Sequence, residues 1–397
     1  MPATTPDASR RALLKGAVLA PAAALLAACS SSEESSSAPS PGQSTAGQTP
    51  TTASTSASAS ASASSSASTG LELKPTGAQP FVTGLAVPWE IVFLPGGDAL
   101  VSQRDTGAVV RVTPQGRTST VGEVPGVVSS VTEGGEGGLL GLALHPGFPS
   151  TPYLYAYRTA ESGNEVVRMR FSGGRLGDPR VVLDGIEKSL HHNGGGLVFG
   201  PDGHLFVSTG DAEDKPNAQD TSSRNGKILR VDADGKVPSD NPFDNAVWTT
   251  GHRNVEGLAF DETGQLWASE FGDKAEDELN MVVRGGNYGW PDVEGGDGPG
   301  GYRDPLATWP TDDCSPSGIA IAHGRAWLGA LQGECVFSVV LRGSQRGTVQ
   351  RHFGGQNGRI RAVAAAPGGQ LWVGTSNKDG RADPGPEDDQ LLRVRFA

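Results

Sequence analysis

The sequence predicts an all-β fold, a six-bladed β-propeller, on three observations. A unit of apolar strand, tight turn and second apolar strand recurs six times, the copies begin 44 to 61 residues apart, and helical periodicity is nearly absent. The copies are EIVFLPGGDALVSQ (90–103), GLALHPGFPSTPYLYAY (141–157), GLVFGPDGHLFVS (196–208), GLAFDETGQLWAS (257–269), GIAIAHGRAWLGA (318–330) and AVAAAPGGQLWVG (362–374). Pro-Asp-Gly, Glu-Thr-Gly and Pro-Gly-Gly are hairpin turns, because glycine supplies the positive φ that the tight connection needs. One hairpin cannot bury both of its faces, so the copies must pack on one another around an axis. A β-sandwich lacks such repeats, and the repeats of a parallel β-helix are much shorter.

Three segments follow in chain order. Residues 1–28 read as an export signal: Ser9-Arg10-Arg11-Ala12-Leu13-Leu14-Lys15 has the twin-arginine pattern, and an alanine-rich apolar run leads to Leu26-Ala27-Ala28-Cys29. That run is shorter than the roughly 20 residues needed to span a bilayer, and Pro21 interrupts it. Its end is lipobox-like, so Cys29 is the expected lipidated first residue of a protein anchored on the extracytoplasmic side of the membrane. Residues 29–77 are the lipidated cysteine and a tether almost wholly of Ser, Ala, Thr, Pro, Gly and Gln, a composition that cannot offset its conformational entropy by burial. A tether of about 48 such residues reaches on the order of 40 Å. Residues 78–397 form the propeller.

The formal charge of −12, with no basic block, argues against a nucleic-acid partner. Cys314 and Cys335 are an even pair in an oxidising compartment, which predicts a disulfide, with two free thiols as the alternative.

In a propeller the loops at one end form a funnel where polar groups from several blades meet. Just before or after the repeat strands stand Glu136 in GGEGGLLG, His191 and His192 in HHNGGG, Asp211 in STGD, Arg253 and Asn254 in GHRNVEG, and Arg359 and Arg361 in NGRIRAV. Glycines beside the inner strands allow close approach of backbones or of a flat ligand. In extended backbone adjacent side chains point in opposite directions, so one of the two histidines is expected to face the axis.

Five segments, GGEGGLLGLALHPGF, HNGGGLVFGPDGHLFVSTGD, NGKILRVDADGKVPSDNPF, GHRNVEGLAF and SEFGDKAEDELNMVVRGGNYGWP, resemble in order and spacing the glucose/sorbosone dehydrogenase family. These are six-bladed propellers that use pyrroloquinoline quinone (PQQ) and calcium (Ca2+) to oxidise aldose sugars and pass electrons to an external acceptor. The resemblance implies that His192 is the general base for the sugar C1 hydroxyl while hydride passes to the quinone, a task suited to imidazole. It implies that Asp211 holds that imidazole, that Arg253 and Asn254 bind the quinone oxygens, and that Arg359 and Arg361 pair with cofactor carboxylates. A cofactor calcium would take main-chain oxygens of Gly272 and Asp273, and a structural calcium would take Glu278 and the Tyr288 carbonyl, with Asp297 a third candidate.

Three positions depart from the glucose-oxidising soluble branch, which has glutamine where Glu136 stands, lysine near Gln332 and arginine at Gly196. Losing one charged hydrogen bond weakens cofactor binding by about 1.5–3 kcal/mol, roughly ten- to a hundredfold. Those departures motivate a second reading, a non-catalytic propeller that binds a glycan or a protein. A calcium-dependent sugar lactonase, which needs no quinone, is a third.

Overall fold

The structure, a computed structural model, describes residues 73–397. The expected export signal, the Cys29 lipidation site and the tether up to residue 72 lie outside the described residues. The first strand, Pro75–Val82, begins three residues ahead of the expected boundary at 78.

Six antiparallel sheets follow in order around the ring. The first holds strands Pro88–Phe93, Ala99–Gln103, Ala108–Val112 and Thr118–Glu123. In the second, Leu139–Leu144, Tyr153–Ala160, Gly163–Ser172 and Arg180–Ile186 pair in sequence, with short Arg175–Leu176 beside the third of them. The third blade is Leu197–Phe199, Leu205–Ser208, Ile228–Val231 and Val247–Thr249, and the fourth is Asn254–Phe260, Leu266–Phe271, Glu276–Val282 and Ala307–Pro310. Pro316–Ala322, Arg325–Ala330, Cys335–Val340 and Val349–His352 form the fifth. Both ends of the folded chain build the sixth: Ile360–Ala366, Gln370–Thr375 and Leu391–Phe396 receive Pro75–Val82 as the outer strand. Each repeat seen in the sequence is the inner hairpin of one blade, and the first strands of successive blades contact one another to close the ring. Among the described residues there is no α-helix.

Repeated residues account for the contact between blades. A Cβ on Gly141 would stand 2.2 Å from the Gly195 carbonyl oxygen, and one on Gly257 would stand 2.5 Å from that of Ser317. Gly196 and Gly318 are equally confined, by the carbonyls of Glu256 and Arg361. Glycine at this position therefore lets one inner strand lie directly against the next. A serine near the end of the second strand adds a bond across the same seam: Ser102 Oγ donates to the Leu140 carbonyl at 2.8 Å, and Ser208 Oγ to that of Val255 at 2.8 Å. Ser269 Oγ bonds the Ser317 carbonyl in the same way.

Tryptophans at matching places in the second strands, Trp267, Trp327 and Trp372, are buried between blades. Trp372 meets Phe81 of the N-terminal strand edge-on at 4.6 Å, so the closing blade is held by packing as well as by its ladder. Truncating such a side chain to alanine costs about 3–5 kcal/mol.

The expected disulfide is not formed. Cys314 and Cys335 are free thiols, both fully buried in one apolar cluster with Trp309 and Phe337. Burial pushes the Cys314 thiol well above its ordinary value, and Asp277 nearby adds to the effect.

Candidate active site

A cavity of about 500 Å³ opens where the loops of several blades converge. The third blade supplies its centre. His192 stands on the loop before strand Leu197–Phe199, and Asp211 on the loop after strand Leu205–Ser208. Asp211 is fully buried and its Oδ1 lies 2.7 Å from His192 Nδ1. The same oxygen accepts the Glu213 backbone N–H at 2.8 Å, while Oδ2 accepts the Trp290 indole N–H at 2.9 Å. With Nδ1 committed, the remaining ring nitrogen of His192 is the one available to a ligand, the arrangement that general-base chemistry requires.

His191 also lines the cavity, which corrects the expectation that one histidine of the pair faces inward. The alternation rule fails because His192 has φ +55°, so the backbone is left-handed at that residue, not extended. His191 Nδ1 lies 3.1 Å from Glu213 Oε1, and Ser189 Oγ bonds the other oxygen. Burial would raise the Glu213 carboxyl, but the bonds from Ser189 and His191 hold it down at about 2.

The fourth blade supplies the next wall. Arg253 precedes strand Asn254–Phe260, and its carbonyl accepts the Asp211 N–H at 2.8 Å. Asn254 Oδ1 accepts the Gly194 N–H at 2.9 Å, tying the two blades together behind the histidine loop. Arg253 Nη2 stands 3.4 Å from Asp273 Oδ1, and Lys215 Nζ 3.1 Å from Asp273 Oδ2. Both cations also lie over the Trp290 ring, at 5.5 and 4.7 Å. Burial works to raise the Asp273 carboxyl, yet Lys215 and Arg253 together bring it below its ordinary value. Opposite them, Glu136 lies ahead of strand Leu139–Leu144; its Oε2 accepts the His192 N–H at 3.2 Å and its Oε1 meets Arg381 Nη1 at 3.1 Å.

The profile of the glucose/sorbosone dehydrogenase family matches residues 85–392, the ring apart from its N-terminal strand Pro75–Val82 and most of its last strand Leu391–Phe396. The chain belongs to this family. It is 33% identical over 283 residues to quinoprotein glucose dehydrogenase B of Acinetobacter calcoaceticus, in a match covering 61% of this chain and 59% of that relative's length. It is 28% identical over 331 residues to the aldose sugar dehydrogenase YliI of Escherichia coli strain K12, covering 74% of this chain and 88% of the relative. The PQQ-bound structure of aldose sugar dehydrogenase from Streptomyces coelicolor superposes with a TM-score of 0.78 at 46% identity, covering 82% of this chain and 98% of that one.

Of the candidate residues singled out in the sequence, His192, Asp211, Arg253, Asn254, Glu136 and Asp273 meet around one cavity. Arg359 and Arg361 do not. Both are buried and held by acids: Arg359 Nε by Asp379 at 2.9 Å, and Arg361 Nη1 by Glu256 at 2.7 Å. Burial would depress Arg361, but Glu256 and Asp379 raise it above its ordinary value. The cation presented to the cavity on that side is Arg381, which sequence reasoning missed. It also missed Lys215, Glu213 and the role of Trp290, although the quoted segment NYGWP contains the tryptophan. Gly194 and Gly195 serve protein packing: a Cβ would stand 2.5 Å from Thr209 Cα at the first and 2.8 Å from Leu140 at the second.

The donor set fits PQQ, a polyanionic quinone. Three cations, Lys215, Arg253 and Arg381, line the cavity, and the buried Nε of Arg253 has no partner in the protein. For calcium, no group of three or more His, Cys, Asp and Glu among the described residues is arranged to hold a metal. Around the expected structural site, Glu278 is buried, and burial together with the Glu270 charge pushes it up to about 8. Its oxygens accept the Gly295 N–H and the Asn280 amide, while buried Asn280 Oδ1 has no partner. Tyr288 is buried with its hydroxyl bonded to Met281 O and Val283 N, and Asp297 is exposed.

Proposed function

We propose that the protein oxidises aldose sugars at C1 to the lactone, using PQQ with calcium, and hands the electrons to an external acceptor. The observation that carries this reading is the His192–Asp211 pair at 2.7 Å, with Asp211 fully buried and the imidazole on the cavity wall. PQQ, when bound, supplies an ortho-quinone that accepts the hydride from C1. His192 takes the hydroxyl proton, and the buried carboxylate of Asp211 stabilises the imidazolium that results. Trp290 and the Glu213 N–H fix that carboxylate. Arg253 and Asn254 would hold the quinone, and a buried guanidinium nitrogen of Arg253 without a protein partner supports that assignment. The carbonyls of Gly272 and Asp273 are the proposed ligands of a cofactor calcium, and Glu278 with the Tyr288 carbonyl those of a structural one. For the second site, support comes from two buried acids close together beside an unpartnered amide oxygen.

The twin-arginine pattern and Cys29 in its lipobox-like context support a place for the enzyme on the extracytoplasmic face of the membrane, held by a lipid anchor. Purified protein supplied with PQQ and calcium should reduce a redox dye when given aldoses. His192→Ala should bind PQQ normally and lose about 10²–10⁴-fold in turnover, whereas His191→Ala should lose far less. An unchanged rate in His192→Ala, or no turnover across a broad sugar panel with PQQ binding confirmed, would overturn the reading.

A further inference from the structure

Each acid that lines the cavity has a partner, and at Glu136 that partner is the guanidinium of Arg381. Lys215 and Arg253 share Asp273, Glu213 is bonded by Ser189 and His191, and Asp211 belongs to His192. Glu136 remains, held at the cavity wall by its Oε2, which accepts the His192 N–H at 3.2 Å. A fixed carboxylate in a cavity that takes an anionic ligand repels that ligand. Its salt-bridge partner is Arg381, at 3.1 Å.

Arg381 is held in place by its backbone. Its N–H donates to Asp379 Oδ1 at 3.0 Å, and the other oxygen of Asp379 is bound by buried Arg359. The bridge itself is partly open to solvent, with the Arg381 side chain 37% exposed, so its contribution to folding stability is small. The backbone presents a guanidinium directly at the Glu136 carboxylate, which makes its one salt bridge there.

We infer that Arg381 is a compensating residue: it cancels the charge that Glu136 brings to the cavity and so sets the affinity of the site for an anionic ligand. The inference rests on the PQQ reading above. It explains how this chain carries a glutamate beside the base without excluding a ligand that bears carboxylates, while Arg359 and Arg361 are occupied by internal acids.

The test is equilibrium titration of the purified full chain with PQQ, and in parallel with its uncharged trimethyl ester, followed by tryptophan fluorescence. Removing the counter-charge in Arg381→Gln should weaken PQQ binding about ten- to a hundredfold and leave ester binding within about threefold. Adding Glu136→Gln to that variant should restore PQQ affinity to within about threefold of the unaltered protein, because the repelling charge is then gone. Melting curves of all variants should coincide closely, which separates a charge effect from a folding defect. PQQ binding by Arg381→Gln equal to that of the unaltered protein overturns the inference and leaves the cofactor reading standing. So does a weakened Arg381→Gln that Glu136→Gln fails to rescue. An unaltered protein that binds no PQQ overturns the cofactor reading and this inference with it.

Discussion

Replacing Asp211 by asparagine changes one atom in the most enclosed part of the site. Asp211 accepts three N–H groups: Oδ1 from His192 and Glu213, and Oδ2 from Trp290. Asparagine offers one oxygen and one NH2 group. If its oxygen keeps the His192 side, the NH2 faces the Trp290 indole N–H, donor against donor in a fully buried place. If the amide is turned round, the NH2 faces His192 Nδ1 and the Glu213 N–H. It then forces the imidazole proton onto Nε2 and removes the lone pair that takes the substrate proton. An unsatisfied buried donor costs about 1–3 kcal/mol, which in a domain of this size lowers the melting temperature by roughly 2–5 °C. Turnover with PQQ and calcium should fall by about 10²–10⁴, because either the tautomer is wrong or the imidazolium has lost its counter-charge. Adding Trp290→Phe removes the opposing donor, lets the asparagine oxygen face His192, and should recover part of both the stability and the rate. The assay is dye reduction at saturating PQQ, alongside a thermal melt. An Asp211→Asn variant that turns over within about threefold of the parent would refute this account of the pair, since no orientation of the amide satisfies all three N–H groups.

Three further outcomes are expected. Burial raises Glu90 on the innermost strand of the first blade to about 8 from an ordinary 4.5, so the folded state holds a proton that the unfolded chain releases. Its destabilising effect is absent below pH 4.5 and complete above pH 8; Glu90→Gln should match the parent in denaturant midpoint at the acid end and gain on the order of 2 kcal/mol at the alkaline end, and a gap independent of pH would contradict it. Gly194 has φ +66° and no room for a methyl group, so Gly194→Ala should lower stability by about 2–3 kcal/mol and disturb turnover. Gly203→Ala, at φ +79° with nothing within 4 Å, should cost only about 1 kcal/mol, and equal losses by calorimetry would show that backbone strain alone decides. Lys227 is buried and its ammonium donates to the carbonyls of Asn217 and Ala218, in the short 3₁₀ helix Lys215–Ala218, and to that of Asn225. Lys227→Met should cost about 2–4 kcal/mol, with hydrogen exchange in residues 215–218 accelerating before the rest of the ring, and uniform exchange would argue against a local role.

What could be read from the sequence is what depends on near neighbours. Turn residues and alternating strands are local, so the six hairpins were legible, and the repeated glycine and serine that hold adjacent blades together stood in plain view in those repeats. The meeting of His192 with Asp211 was implied by the family resemblance, and the fold gives its physical reason, since both residues flank the inner hairpin of one blade.

The tertiary structure decided the rest through partners distant in the chain. Arg361 finds Glu256 across 105 positions and Arg359 finds Asp379, so the two arginines that the resemblance assigned to the cofactor are held by internal acids. Arg381 takes up the exposed place. His191 joins His192 at the cavity because one left-handed residue breaks the alternation of extended backbone. Cys314 and Cys335 share a cluster but not a bond, since parity of cysteines says nothing about how their side chains meet in a packed core. Local propensity builds each hairpin, whereas which charge faces the ligand depends on where the ring closes and which acids are then within reach.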